Sequence, residues 1–356
     1  MKREVIAGVR LDVLRHNLRI VRRHCARSRI IAMVKANAYG HGLVPVARAL
    51  TDADSLGVAV LDEALALREG GITRPVVLLE GVFDPRELRT AAEHGFSMVF
   101  HHRDQIEMLR RTPLPHPVDI WLKLETGMHR LGLPVETAEM MLDVLRHRAR
   151  SLSVMTHFAC ADEPSNPATR AQLDRLVAFA RKHHLPASAA NSAAILTAPG
   201  SHLDVVRPGI MLYGGSPQAG RPAAEFELQP AMTLSARVIA VNEVAKGESV
   251  GYGLTWHAPR DSRVGVIGIG YGDGYPRHAM PGTPVRIGDV TAPLIGRVSM
   301  DMITVDLTSH PQVRTGDTAV LWGEGLPADT VARHASTISY ELFCRLTTRV
   351  KFEYHG

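Results

Sequence analysis

Between residues 28 and 215, short apolar stretches alternate with longer amphipathic ones. Segments such as PRELRTAAEHG and RDQIEMLRRT carry apolar residues at helical spacing. Strands separated by helices pair in parallel, because a parallel connection needs a crossover. Eight such units favour a (β/α)8 barrel of the TIM type, with an open doubly wound sheet as the alternative. The strands are predicted in RIIAMV, LGVAV, PVVLLE, FSMVF, VDIWLKL, LSVMTHF, PASAAN and LDVVRPG.

After about residue 225 the pattern changes to β-branched, alternating and turn-rich segments. Stretches such as AMTLSARVIAVNEV, RVGVIGIG and DMITVDL predict strands with few helices between them. We therefore expect an α/β barrel domain over residues 1–228, followed by a mostly antiparallel β-domain over residues 229–356. Residues 1–10 are predicted to form a strand that joins the second domain.

Composition places the chain among folded two-domain proteins. It has 356 residues, of which 45% are apolar and 22% charged. Three scattered cysteines provide no disulfide framework and no Cys-x-x-Cys metal or redox site, which favours a reducing compartment. No apolar stretch approaches the roughly 20 residues that cross a membrane, and MKREVIAGVRLD lacks the apolar core of a signal peptide. We expect a cytoplasmic protein with no membrane contact.

The net charge of +5 raises the question of nucleic-acid binding. The basic residues are dispersed along helical segments, however, and no basic run is interleaved with aromatic residues. We therefore expect no nucleic-acid partner. Only six of the basic residues are lysines, so a lysine in an apolar setting is conspicuous.

Two lysines stand in such settings. Lys35 follows the apolar strand RIIAMV and precedes the turn residues of ANAYGHG, and Lys123 lies within VDIWLKL. Active sites of β/α barrels form at the carboxyl ends of the strands. A lysine that loses its hydration there is a candidate for covalent chemistry with a carbonyl group.

Three further strands also end in polar residues. His157 ends LSVMTHF, Ser192 stands at a strand-to-helix junction, and Arg207 leaves the eighth strand ahead of a Gly-Ile turn whose amides are suited to phosphate. Each has an ordinary structural explanation, as a core histidine, a helix cap or an ion-pair partner. Together they indicate a lysine-bound aromatic cofactor with its phosphate near the last strands.

The β-domain adds SVGYGLTW, GIGYGDGYPR and GRVSMDM. The glycines of the second motif do not follow the dinucleotide pattern G-x-G-x-x-G, since Asp273 takes its last place and no βαβ unit surrounds it. A nicotinamide cofactor is therefore not expected, and no metal site is predicted.

The motifs VKANAYGHG, LKLETGMHRLG, ANSAAIL, VRPGIMLYG, GYG and GRVSMDM occur in this order. Together they resemble those of bacterial alanine racemases, which are fold-type III pyridoxal phosphate enzymes, and the resemblance extends over essentially the whole chain. It implies interconversion of L-alanine and D-alanine, either to supply D-alanine for peptidoglycan or to degrade it. One departure is Glu125, where many members have aspartate.

The resemblance also implies residue roles. Lys35 would bind pyridoxal phosphate covalently, and Arg207 would face the pyridine nitrogen. Arg130 would contact the phenolic oxygen of the cofactor and the carboxylate of the substrate. Lys123 matches the lysine that the family carbamylates. The other cofactor-binding residues implied are Tyr39, His157, Ser192, Gly209, Ile210 and Tyr340.

Racemisation requires a base on each face of the substrate Cα. The pair implied by the resemblance is Lys35 and Tyr252. A phenol is a poor base at neutral pH, because its ordinary pKa is near 10, so Tyr252 needs supporting neighbours. The implied chain of neighbours runs from Tyr252 through His157 to Arg207.

The resemblance further implies a homodimer with shared active sites. Tyr252 and the substrate-binding Met300 would reach the site from the partner subunit, with Asp301 and Tyr271 in support. Tyr271 and Tyr340 resemble tyrosines that narrow the substrate entrance.

Other interpretations remain open from the residues alone. The nearest is a fold-type III racemase of broader specificity or a decarboxylase, which substrate tests and carbon dioxide release would distinguish. A non-catalytic pyridoxal phosphate carrier of barrel type is disfavoured, because such carriers have no second β-domain.

Overall fold

The computed structural model describes residues 3–218 and 220–356. Eight parallel strands close into a barrel in chain order, each paired with the next and the last paired with the first. This confirms the predicted fold class. The barrel strands are β2 (Arg29–Met33), β3 (Ser55–Val58), β4 (Val76–Leu78), β5 (Ser97–Phe100), β6 (Val118–Lys123), β7 (Ala149–Met155), β8 (Ala187–Ser188) and β9 (Val205–Val206).

Helices follow the strands around the barrel. Most are amphipathic and bury one face, as α6 does with Gln105, Ile106 and Leu109. The helices of this part of the chain are α1 (Leu11–His24), α2 (Lys35–Tyr39), α3 (Leu43–Ala49), α4 (Leu61–Glu69), α5 (Pro85–Glu93), α6 (Arg103–Arg111), α7 (Val135–Arg148), α8 (Ala168–His183) and α9 (Ser192–Thr197).

The second sheet has eight strands and contains the N-terminal strand β1 (Val5–Arg10). β1 pairs antiparallel with β10 and parallel with β18, and it continues directly into α1. The other pairings are antiparallel. The strands after the barrel are β10 (Met232–Val244), β11 (Ser249–Val250), β12 (Trp256–His257), β13 (Ser262–Ile267), β14 (Pro284–Ile287), β15 (Val290–Ile295), β16 (Ile303–Asp306), β17 (Thr318–Trp322) and β18 (Lys351–His355).

The long strand β10 organises this sheet. It pairs with β1 and β17 along its first half and with β13 along its second, past a register shift between Val238 and Ala240. Six strands thereby close on themselves in the order β10, β13, β16, β15, β14 and β17. The first residues of β10 alternate between buried and partly exposed, as a strand with one core face should.

Two short helices, α10 (Ala328–His334) and α11 (Ser339–Cys344), were not expected from the sequence. They lie between β17 and β18, and α11 packs against α2 of the barrel. The second domain therefore reaches the carboxyl ends of the barrel strands. None of the helices formed by residues 3–218 and 220–356 is long and apolar enough to span a membrane.

Gly214 provides a test of the packing between the two domains. Its φ is +79°, and a Cβ there would overlap the carbonyl oxygen of Gln229. Gly71 has nearly the same φ, +78°, with nothing within 4 Å of a Cβ. Gly71→Ala is expected to lower the free energy of unfolding by about 1 kcal/mol through left-handed backbone strain alone. Gly214→Ala should lower the free energy of unfolding by roughly 2 kcal/mol more than Gly71→Ala does, because its Cβ overlaps the Gln229 carbonyl. Denaturant unfolding of the two variants measures both losses. Equal losses in the two variants would contradict this.

Candidate active site

Lys35 begins a turn of unusual backbone conformation at the carboxyl end of β2. The four residues that follow it, 36–39, all have φ between +52° and +54°. Four consecutive non-glycine residues in the left-handed region are strained, because Cβ crowds the following carbonyl. Gly40 ends the turn at φ +75°, and a Cβ at this position would overlap the carbonyl oxygen of Phe343 in α11. The sequence predicted a turn here but not its handedness.

Stacking of the Tyr39 ring, the last of the strained residues, on the Tyr213 ring supports this turn. The rings of Tyr39 and Tyr213 stack with centroids 4.8 Å apart, and the Tyr213 hydroxyl donates to the Met33 carbonyl at 2.8 Å. His41 is fully buried beside Tyr213, and burial lowers its pKa to about 4. Its Nδ1 lies 2.9 Å from the Tyr39 carbonyl, which can only accept, so the neutral ring carries its proton on Nδ1.

One cavity of about 970 Å³ opens at the carboxyl ends of the barrel strands. This is the end of a barrel where catalytic residues collect. Ten of the residues singled out from the sequence line it: Lys35, Tyr39, Lys123, Arg130, His157, Ser192, Arg207, Gly209, Ile210 and Tyr340. They come from strands and loops spread over much of the chain, so the closed barrel is what brings them together.

Arg207 is a buried cation held by neutral groups. Its guanidinium donates to the Ser188 hydroxyl at 2.5 Å and to the carbonyls of Thr156 and Ala189 at 2.6 and 3.2 Å. Burial lowers its pKa to about 10, so it still carries its charge at neutral pH. It therefore offers a permanent hydrogen-bond donor at the cavity wall.

His157 lies next to that cation. Arg207 Nη2 is 3.4 Å from His157 Nδ1. Burial, and after it the charge of Arg207, holds the pKa of His157 well below its usual range. A neutral imidazole that accepts at Nδ1 carries its proton on Nε2, so this ring has one donor left to offer.

Ser192 and Gly209 form a cradle near the last strands. The Gly209 amide donates to the Ser192 hydroxyl at 2.8 Å. A Cβ on Gly209 would lie 2.5 Å from the Tyr39 hydroxyl, so only glycine leaves this space open. The residue that caps α9 is Asn191 rather than Ser192, since its side chain accepts from the Ala194 amide. Burial raises the pKa of Tyr39 and of Tyr340, which keeps both hydroxyls protonated as donors.

Lys123 faces the cavity at the end of β6. Burial, followed by the charges of Arg207 and Arg130, lowers the pKa of its ammonium to about 8. A substantial fraction of a lysine with that pKa is neutral and nucleophilic near physiological pH. The same cations make the site attractive to an anion.

Glu125 holds the loop that carries Arg130. Its carboxylate accepts from the amide of Gly127, from Met128 at 2.9 Å and from His129 at 2.8 Å. The loop closes where the Leu133 amide donates to the Lys123 carbonyl at 2.9 Å. The acidic residue that departs from the resembled motif is thus a loop clamp, a role that an aspartate could share.

The comparisons with known proteins agree with this geometry. The family descriptions of the alanine racemase N-terminal and C-terminal domains match residues 9–217 and 231–354. An alanine racemase of Aeromonas hydrophila is 49% identical over 352 residues, which cover 98% of this chain and 99% of the relative. The chain belongs to the alanine racemase family.

Further relatives extend the match to a biosynthetic enzyme and to a solved structure. The biosynthetic alanine racemase of Escherichia coli K12 is 49% identical over 345 residues, 96% of each chain. The crystal structure of the biosynthetic alanine racemase from Pseudomonas aeruginosa has a TM-score of 0.97 at 44% identity, with both chains covered completely. As a member of this family, the chain is an isomerase.

Four residues predicted from the alanine racemase motifs lie outside the cavity of the single chain. Tyr252 stands in the connection between β11 and β12 with 72% of its surface exposed, and Met300 and Tyr271 are also exposed. Asp301 lies next to Met300 in the loop between β15 and β16. The described chain alone does not bring these residues to Lys35.

The loops that carry Tyr271, Met300 and Asp301 are nevertheless held in place by ion pairs and backbone hydrogen bonds. The buried Asp273 pairs with Arg3 at 2.5 Å and with Arg349 at 3.2 Å, and Arg349 also binds Asp301 at 2.6 Å. Backbone bonds from Tyr271 and Gly272 to the 299–300 segment join the two loops. The residue that excluded a dinucleotide motif, Asp273, therefore anchors the surface that carries Tyr271 and Met300.

Sequence reasoning missed other cavity residues, among them Glu80, Asp162 and Cys344. Glu80 could have been found from the sequence, because it stands at the end of the strand segment PVVLLE, much as Lys35 stands at the end of RIIAMV. Asp162 and Cys344 lie in segments with no such pattern, and only the fold brings them to this cavity.

The lowered pKa of Lys123 predicts how its amine titrates. Because burial disfavours the charged form, the folded chain loses this proton near pH 8 while the unfolded chain keeps it to about 10.5. Lys123 should therefore add carbon dioxide with a midpoint near pH 8, measured by NMR with carbon-13-labelled bicarbonate. Its contribution to stability should rise between these two pH values, because the unfolded state binds more protons there. Lys123→Met should lack both effects. An adduct that persists in this variant would assign the reaction to another amine.

Proposed function

We propose that the chain interconverts L-alanine and D-alanine with pyridoxal phosphate bound at Lys35, and that Lys35 and the Tyr252 of a partner subunit are the two bases. The observation that carries the proposal is the gathering of Lys35, Arg207 and the Ser192–Gly209 cradle around one cavity. Membership of the alanine racemase family supports the same reaction.

The residues present fit this cofactor. Six lysines and arginines line the cavity against three carboxylates, and this excess of positive charge suits an anionic ring with a phosphate. Four of the six are the predicted site residues Lys35, Lys123, Arg130 and Arg207. Ser192, Tyr39, Tyr340 and the amides of the Gly209–Ile210 turn would hold the phosphate in the cradle. Arg207 would donate to the pyridine nitrogen. When bound, pyridoxal phosphate supplies an electron-withdrawing ring that acidifies the Cα hydrogen of an attached amino acid.

Lys35 and Tyr252 would move the proton. One takes it from one face of the substrate Cα and the other returns a proton to the opposite face, which inverts the centre. His157 supports Tyr252 in this scheme, because its Nε2 proton is free to donate to the phenolic oxygen while Arg207 occupies Nδ1. Arg130 would hold the substrate carboxylate.

Arg207 also limits side reactions. With a pKa of about 10 it keeps its protons at neutral pH, so it would donate a hydrogen bond to the ring nitrogen without transferring a proton. As such a donor, Arg207 would keep the ring nitrogen of a bound cofactor unprotonated and so would limit how far the ring draws electrons from Cα.

The proposed homodimer rests on the surface around Tyr252. Large apolar side chains are exposed together on the loops of the second domain, although the backbone there is tightly bonded. Large apolar side chains exposed on ordered loops are typical of protein interfaces. The exposed members are Tyr252, Leu254, Tyr271, Met300 and Met302. A partner would cover them and would complete each site with Tyr252 and Met300.

Lys123 is proposed to act as a carbamate. Its neutral fraction can react with carbon dioxide, and the resulting anion would pair with the neighbouring Arg130. This would fix the guanidinium that receives the substrate carboxylate. We further propose that the enzyme is cytoplasmic and supplies D-alanine for peptidoglycan, since relatives at 49% identity are described as biosynthetic.

Subunit mixing tests both the bases and the dimer. Lys35→Ala and Tyr252→Phe should each reduce racemisation at least about a hundredfold, since each removes one of two general bases. If the two residues act across the interface, refolding an equal mixture restores one intact site in every mixed dimer. About a quarter of the wild-type activity should return.

The matched control mixes Lys35→Ala with Arg130→Ala. Both substitutions lie in the barrel part of the site, so every site in the mixed dimer stays defective. Recovery in this control, or none in the first mixture, would overturn the shared-site arrangement. Racemisation that persists in Lys35→Ala would overturn the proposed function.

Tyr340 and the Tyr271 of a partner are expected to restrict the enzyme to substrates with small side chains. Tyr340 lines the cavity, and a partner's Tyr271 would narrow the opening beside it. Lysine, arginine and serine should therefore show kcat/KM values at least about tenfold below that of alanine, because a pocket sized for a methyl group excludes larger side chains. Comparable values for a long substrate would identify a racemase of broad specificity instead.

A further inference from the structure

The strained turn after Lys35 needs external support. Its later part has its own hydrogen bonds, from Gly40 to the Ala36 carbonyl at 2.9 Å and from Leu43 to the Asn37 side chain at 2.8 Å. The Ala38 amide also donates to the Val34 carbonyl at 2.8 Å, across the start of the turn, but none of these bonds uses the amide of Ala36, directly after Lys35. Strained backbone at a functional site persists only where surrounding contacts determine it.

Glu63 supplies the contact at the start of the turn. The amide of Ala36, the residue directly after Lys35, donates to Glu63 Oε1 at 2.6 Å. In the described part of the chain, no other acceptor takes this amide proton. Glu63 stands in the first turn of α4, which follows the neighbouring strand β3.

The second oxygen of Glu63 is also engaged. Glu63 Oε2 accepts from the Ala59 amide at 2.8 Å, just before α4 begins. One carboxylate therefore joins the β3–α4 connection to the Lys35 turn. A glutamine could satisfy only one of these two amides, because its other terminal group is itself a donor.

We propose that Glu63 is a positioning residue for Lys35. Its carboxylate ties the first peptide of the left-handed turn to the body of the barrel and so sets the direction in which the lysine side chain leaves the backbone. The proposal rests on the proposed function, in which Lys35 holds the cofactor and moves a proton.

The competing explanation is that Glu63 only caps α4. A glutamate in the first turn of a helix commonly bonds a preceding amide, and the Ala59 contact fits that role. Capping alone predicts that its loss loosens the start of α4 and leaves the Lys35 turn unchanged. If the bond to Ala36 positions Lys35, its loss should instead loosen the Lys35 turn. Measurements of local opening in the turn and in α4 therefore distinguish the two explanations.

Hydrogen exchange in cofactor-free protein is the first test. Glu63→Gln should speed exchange of the backbone amides of residues 36–42 by about tenfold or more, because the turn opens locally when it loses an anchor. Asp62→Asn is the matched control. It removes the same charge from the same helical turn, and in residues 3–218 and 220–356 no side-chain hydrogen bond of Asp62 is present.

Cofactor loading and turnover are the second test. In Glu63→Gln, covalent binding of pyridoxal phosphate, followed by absorbance, should slow by about tenfold, and kcat should fall similarly, since a misdirected reactive group loses its near-attack geometry. The KM for alanine should stay within about twofold, because Glu63 would not touch the substrate. Asp62→Asn should match the wild type in all three measurements.

The outcomes are distinct. Exchange that changes only at residues 59–66, or loading that equals that of Asp62→Asn, would overturn the positioning role. If Glu63→Gln does not fold, Glu63→Asp carries the same test, since its shorter side chain cannot bridge both amides. Failure of the proposed function itself would show separately, as racemisation that persists in Lys35→Ala.

Discussion

The site depends on a buried positive charge that the protein leaves without a counter-ion. Among the described residues, Arg207 is held by carbonyls, a hydroxyl and an imidazole, and no carboxylate contacts it. A buried cation without an anion is costly unless a ligand offsets the cost. Nearby basic residues increase the same imbalance, and their charges add to the effect of burial in lowering the pKa of Lys123. Lysines and arginines outnumber carboxylates among the residues that line the cavity, so it favours anionic ligands.

The need to bind an anionic ligand also explains why the site residues at the carboxyl ends of the strands are held rigidly. A ligand that is recognised by several fixed donors gains specificity only if those donors cannot relax around other ligands. The Glu125 loop, the Ser192–Gly209 bond and the aromatic stack under Tyr39 each hold one group in place. Some acidic residues in this chain anchor the backbone, as Glu125, Glu63 and Asp273 illustrate.

Periodicity was sufficient to predict the fold class, because buried parallel strands and amphipathic helices leave strong patterns. Lys35, His157 and Arg207 were also visible, since polar residues at the ends of apolar strands are conspicuous. Other features left no local signal. The left-handed turn has alanines where glycines would be expected, and Glu63 looks like an ordinary helix-start residue. The role of Tyr252 could come only from resemblance, because its proposed partners lie in another subunit.

The placement of β1 has a consequence for synthesis of the chain. This strand is made before the barrel, yet its neighbours β10 and β18 are made after the barrel. The barrel strands have all been made by residue 206, whereas both edges of β1 stay unpaired until β10 and β18 have been made. Domains tend to fold in order of synthesis, and long-range pairings form slowly. The second sheet of this enzyme is therefore completed only when a strand made before the barrel pairs with strands made after it.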